Sequence, residues 1–240
     1  MLERMNSVNS TLTADESRQK NVVAMGDPAG LIYSELWQEV AWLYHVWAEY
    51  VALFGTKESR VSLMNSAAPA FMRIVQDSIW EGVLLSIARL TDPPRSAGKD
   101  NLSVRSLGAA ISDLSLKSRV DAATAAALSA SEFCRDWRNR HIAHRDLALS
   151  LRKGGQPLED ATRLKVKGAL AAIADVLNVV CRHYFGSTTL FHIDVEIGGG
   201  PGGAMSLLYL VDAGLRAEEA ALKRIESDNF DETDLQPRDL

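Results

Sequence analysis

Apolar residues recur along most of this chain at alternating intervals of four and three, the spacing that lines one face of an α-helix. From Leu31 to Phe54 the stripe is Tyr33, Trp37, Val40, Tyr44, Trp47, Val51 and Phe54. Pro28 suits a first turn before it and Gly55 a stop after it. A second helix is predicted from about Ala67 to Leu90, with Ile74, Val75, Ile79, Val83, Leu84, Ile87 and Leu90 on its apolar side. Thr91-Asp92-Pro93-Pro94 ends it, because proline lacks the amide donor and restricts the residue before it. After a loop over 95–100, Asn101 is placed to cap a shorter helix carrying Leu102, Leu107, Ile111 and Leu114. A fourth helix runs from about Lys117 into a cluster of arginines and histidines near position 140, with Ala126, Ala130, Phe133 and Trp137 on one face. Gly154, Gly155 and Pro157 break the chain, and a fifth helix follows from about Leu158 to Tyr184. Its first half carries Arg163, Lys165 and Lys167.

The period then changes. Phe191, Ile193, Val195 and Ile197 alternate with His192, Asp194 and Glu196, which predicts a short β-strand. A glycine-rich turn over 198–203 leads to a last helix from about Ala204, apolar at Leu207, Leu208, Leu210, Val211 and Leu215. No Lys-Ser/Thr pair follows the glycines, so they read as a turn and not as a phosphate loop. Three stretches result: a polar, mobile arm over 1–28, a helical bundle over 29–190, and the strand, turn and helix with an acidic tail over 191–240. The fold class is mainly α.

Composition narrows the picture. With 240 residues of which 47% are hydrophobic, the chain can bury a real core. Two cysteines exclude a disulfide scaffold and fit a reducing, cytoplasmic compartment. No apolar run approaches the ~20 residues that span a bilayer, and the first twenty residues lack the apolar centre of a signal peptide. No membrane partner is expected. The net charge of −5 argues against a broad nucleic-acid coat but leaves room for a small basic site. Nearly all of it sits in 216–240, where eight acids face four bases, a net of −4.

The basic site is the segment from Glu132 to Leu147. Arg135, Arg138, Arg140, His141, His144 and Arg145 fall within eleven positions. Cations at a helix C-terminus complement the macrodipole, which accounts for one or two of them. It does not account for Arg-Asn followed by two histidines. No CxxC or HExxH spacing appears, so neither a metal nor another cofactor is expected.

Arg138-Asn139-Arg140-His141-Ile142-Ala143-His144 resembles the motif of HEPN domains: an arginine, a polar residue that is often asparagine, and a histidine after four to six intervening residues. Here five lie between Arg138 and His144. The run from Ile79 to Asp92, followed later by Arg-Asn and Ala-His-Arg-Asp, further resembles the AbiU2-like branch, linked to abortive phage infection. The resemblance spans roughly 30–215. It implies a HEPN-like antiparallel helical bundle with an additional C-terminal helix. It also implies a metal-independent endoribonuclease, a toxin or defence effector whose substrate is RNA. Arg138, Asn139 and His144 would be catalytic, in a composite site at a two-fold homodimer interface, with an antitoxin or regulatory protein as a further partner. The alternative is a catalytically silent HEPN module that binds RNA, a nucleotide or a partner protein. Arg135, Asp136 and His141 fit the same spacing in a second register, with Arg140 and Arg145 as auxiliary cations. The flanking Arg-Asn and Ala-His favour the first register.

These residue types suit the reaction. RNA can be cut without metal when its own 2′-OH attacks the adjacent phosphate. Histidine moves protons near neutral pH, and arginine stabilises charge on phosphoryl oxygens with a planar, permanently charged fork. Asn139 would orient the histidine or donate to the phosphate. On a continuous helix, residues six apart lie about 120° apart around the axis. Either the helix loosens near Ile142, or two copies of the segment meet so that both chains line one cleft.

Overall fold

The computed structural model describes residues 12–151, 156–191 and 203–235. They are mainly α-helical, with one two-stranded hairpin among the described residues. The chain divides into two compact units, one of Met1–Leu43 with Leu84–Phe191, the other of Tyr44–Val83 with His192–Leu240. Two long helices, α2 (Ala29–Phe54) and α4 (Pro69–Leu90), contribute to both. None of the described helices is long and apolar enough to cross a membrane.

The first unit is organised by α6 (Leu114–Ala130) and α9 (Arg163–Phe185). Leu116, Val120 and Ala127 of α6 and Val166, Leu170, Ile173, Leu177 and Val180 of α9 are almost completely buried. Leu36 and Val40 of α2, Leu84 and Ile87 of α4, and Leu107 of α5 (Val104–Ala110) are also completely buried in this unit. Each of the Leu, Ile and Val side chains contributes about 1.5–3 kcal/mol on burial. The two helices run antiparallel: Arg119 near the start of α6 meets His183 near the end of α9 at 3.2 Å, and Lys165 in the first turn of α9 lies 5.6 Å from the Phe133 ring, beyond the end of α6.

The expected arm is, from Ala14 to Met25, a helix (α1). Thr13 Oγ1 accepts from the Glu16 amide, and Glu16 accepts in return from the Thr13 amide at 2.8 Å, a capping box invisible to an apolar-periodicity reading. None of its residues is buried, so polar contacts hold it: Asn21 Nδ2 donates to Ser34 Oγ at 3.0 Å, and Arg18 pairs with Glu35 at 3.3 Å. Gly30 lets the two helices approach, since a Cβ there would stand 2.5 Å from Val22 Cα.

The expected fourth helix is broken. After α6, Ser131 takes φ −103° and ψ 5°, and α7 (Glu132–Trp137) begins. The expected cap Asn101 instead braces the preceding turn, its Nδ2 donating to the Pro93 carbonyl and to Ser96 Oγ, both at 2.8 Å. Ser103 takes the N-cap position of α5. Residues 95–100, expected as a loop, form the hairpin of β1 (Arg95–Ser96) and β2 (Lys99–Asp100), turning through Ala97 and Gly98 at positive φ. The fifth helix starts at Arg163, not at Leu158, because the preceding backbone is engaged elsewhere: the Glu159 amide donates to Asp136 and its carbonyl accepts from Trp137.

The second unit contains α3 (Glu58–Ala67), which the apolar pattern did not predict because only Met64 of it is buried. Ala52, Leu53, Met64, Met72, Ala204 and Leu208 form its core. Trp47 stacks on Tyr50, and Trp80 packs against both at a tilt, with ring centroids 5.4–6.2 Å apart. The C-terminal helix α10 (Ala204–Glu226) begins where Glu49 Oε2 accepts the Ala204 amide at 2.5 Å. The expected strand beyond Phe191 and the glycines up to 202 lie outside the described residues.

Candidate functional site

The arginine–histidine cluster sits where α7 gives way to a looser turn. Residues Arg138–Ile142 form a π-helical segment, in which the Ala143 amide donates to the Arg138 carbonyl at 2.8 Å, five residues back. Such wide turns are rare and recur at functional sites. Of the two expectations, the helix does loosen at the motif, which moves Arg138 and His144 off the angular spacing of a regular α-helix.

Three contacts tie this segment to the turn that ends α4. Ser131 Oγ lies 3.2 Å from Thr91 Oγ1, with both residues fully buried. Arg135 Nη2 donates to the Thr91 carbonyl at 3.3 Å. Arg138 Nη1 donates to Asp92 Oδ1 at 2.5 Å. Positions 131, 135 and 138 are spaced four and three, so one face of the helix meets Thr91-Asp92. In the sequence Asp92 reads only as part of a helix stop. The signal for more was its presence at the end of the run from Ile79 that carries the AbiU2-like resemblance.

The two registers fare differently. In the second register every member is engaged within the chain: Arg135 on Thr91, Asp136 by Arg140 and the Glu159 amide, and His141 edge-on to Trp137 with ring centroids 5.4 Å apart. Arg140 is a brace and not an open cation. Its Nη1 donates to Asp136 at 3.1 Å and to the Pro157 carbonyl at 3.3 Å, and its Nη2 donates to the Gln156 carbonyl. In the first register, Asn139 and His144 are exposed. Asn139 Oδ1 accepts from Arg138 Nε at 3.0 Å, so its carbonyl side orients the arginine, while its Nδ2 side remains able to donate. Arg145 is exposed beside His144. Cys134, behind the site, is fully buried, and burial pushes its thiol up to about 12 against the opposing pull of Arg135. Among the described residues no group of three or more histidine, cysteine or acidic side chains is arranged to hold a metal ion.

This arrangement offers Arg138 with a free donor edge, the exposed imidazole of His144, the exposed amide of Asn139 and the exposed cation of Arg145, on a turn braced from behind. No curated protein and no solved structure matches the chain. The family model for AbiU2, a HEPN family, matches residues 27–196, which takes in α2 through α9, with the short α8 (Leu147–Ser150) between α7 and α9, and the whole cluster. The chain belongs to the HEPN AbiU2 family.

Proposed function

We propose that this protein is a metal-independent endoribonuclease, acting in the cytoplasm as a toxin or phage-defence effector. His144 takes the proton of a ribose 2′-OH as the 2′-oxygen attacks the adjacent phosphorus. The bond from phosphorus to the 5′-oxygen breaks, that oxygen takes a proton from water as it leaves, and the protonated His144 returns its proton to solvent. The products are a 2′,3′-cyclic phosphate and a 5′-hydroxyl end. Arg138 stabilises the charge that builds on the non-bridging oxygens, and Asn139 holds its Nε side. Two copies of the segment meet at a two-fold axis, so residues of both chains line the cleft, and an antitoxin or regulatory protein restrains it.

The observation that carries this reading is the contrast between registers. It is clearest at the histidines: His144 is exposed, as are Asn139 and Arg145, while His141 is half-buried against Trp137; Arg138 is paired with Asp92 and Asn139 but keeps Nη2 free among the described residues. The test is cleavage of a mixed RNA pool by the unaltered chain and by His144→Ala, with EDTA present. Cleavage in EDTA with cyclic phosphate ends, lost in His144→Ala, is expected. A strict Mg²⁺ requirement contradicts the mechanism. Intact RNA that is nevertheless bound is the result that a silent HEPN module produces.

A further inference from the structure

The Asp92–Arg138 pair joins segments 46 residues apart, and the two side chains are only 20% and 23% exposed. It differs in kind from the chain's surface pairs, such as Arg73–Asp77, whose side chains are 74% and 54% exposed and easily screened. Arg138 is held on two sides, at Nη1 by Asp92 and at Nε by Asn139. Among the described residues, Nη2 donates to none. Asp92 is itself fixed, between a fully buried Thr91 and the restricted backbone of Pro93.

We propose that Asp92 is a positioning residue for the reaction, a role that rests on the ribonuclease reading above. It sets the plane of the Arg138 guanidinium so that Nη2, with its two N–H donors, faces the scissile phosphate. The charge balance supports orientation over affinity. A carboxylate beside a phosphate site repels the substrate, so it weakens RNA binding while it fixes the group that stabilises the transition state. Removing it therefore moves binding and chemistry in opposite directions, which loss of a merely structural contact does not do.

The experiment is steady-state cleavage of a labelled RNA by the full chain, by Asp92→Asn, by Arg138→Ala and by the double variant, each checked by thermal melting. Asp92→Asn is expected to lower kcat about tenfold or more, the scale of a small misplacement of a catalytic group, with KM unchanged or lower. In the Arg138→Ala background the same change is expected to have no further effect. Equal losses in both backgrounds, an unchanged kcat or a raised kcat overturns the proposal. If Asp92→Asn does not fold, Asp92→Glu keeps the charge and displaces it by one methylene. A lowered kcat then supports positioning and a wild-type kcat overturns it. No cleavage by the unaltered chain overturns the ribonuclease reading together with this one. Cleavage by it at the same kcat as Asp92→Asn overturns this one alone.

Discussion

His144 and His141 stand three positions apart yet occupy different chemical settings. His144 is exposed after the π turn, whereas His141 is half-buried against the edge of Trp137. Replacing His144 by Ala is expected to cut RNA cleavage by at least ~10²-fold, the low end for a general acid or base, and to leave Tm nearly unchanged. Arg138→Ala is expected to lose cleavage to a similar extent. His141→Ala and Arg135→Ala are expected to retain most of the activity and to lose about 1 kcal/mol of stability, the scale of one aromatic contact or hydrogen bond. Kinetics and melting of the four variants decide the register. Greater loss of cleavage at His141 and Arg135 than at His144 and Arg138 reverses the assignment. Cys134 makes a separate prediction. Because burial raises its thiol to about 12, the thiolate is nearly absent at pH 8 and the native chain is not alkylated there by iodoacetamide. A folded value above the unfolded one means that the neutral thiol's stabilising contribution is present below the ordinary thiol pKa. It is lost as the pH rises towards 12. Mass spectrometry of the labelled peptide, native against denatured, checks this.

At the scale of elements, α1 and the turn after α4 show how local contacts override the apolar pattern. α1 buries no residue and holds to α2 by polar contacts across Gly30. A Cβ at Gly30 would meet Val22 Cα at 2.5 Å and the Asn21 carbonyl at 2.6 Å, both backbone atoms that cannot swing away. Gly30→Ala is therefore expected to push α1 off α2 while the α6–α9 core stays folded. Hydrogen exchange measures this: amides of 14–25 should exchange faster, and those of α9 should be unaffected. Protection of α1 equal to the unaltered chain would show that the helix is held elsewhere. The site is an assembly of elements too. Thr91 and Asp92 at the end of α4, and Gln156, Pro157 and Glu159 before α9, converge on six consecutive residues, Arg135–Arg140, while Ser131 before α7 is tied to Thr91.

At the scale of the whole molecule, the prediction concerns association. If two copies of the Arg138–His144 segment line one cleft, the protein is a homodimer at micromolar concentration, the commonest symmetric assembly. Light scattering coupled to size exclusion checks it. A monomer that keeps full activity contradicts the composite site. Mixing Arg138→Ala with His144→Ala chains, each inactive alone, should restore part of the cleavage if one intact pair of residues can be drawn from two chains. No recovery after subunit exchange argues for a site within one chain.

The helices with an apolar face were legible in the sequence, because burial of that face is what stabilises them. Its exact line was not: in α2 Tyr33, Val40 and Trp47 of the expected stripe are buried, but the buried face runs on through Leu36, Leu43, Tyr50 and Leu53 and leaves Trp37 exposed. The motif was legible for a different reason: Arg138, Asn139 and His144 stand at a spacing that needs no knowledge of neighbours. What tertiary structure alone decided is everything that rests on contacts between distant residues. α1 is held by its capping box and by Ser34, and α3 by Met64, neither of which leaves a periodic trace. The break at Ser131 depends on a hydroxyl forty positions away, and the late start of α9 on Asp136 and Trp137 taking up Glu159. The pairing of Asp92 with Arg138 belongs to the same class. Periodicity reports which face of an element is apolar, whereas a hydrogen bond or ion pair across 46 residues requires the fold that brings its two ends to within 2.5 Å.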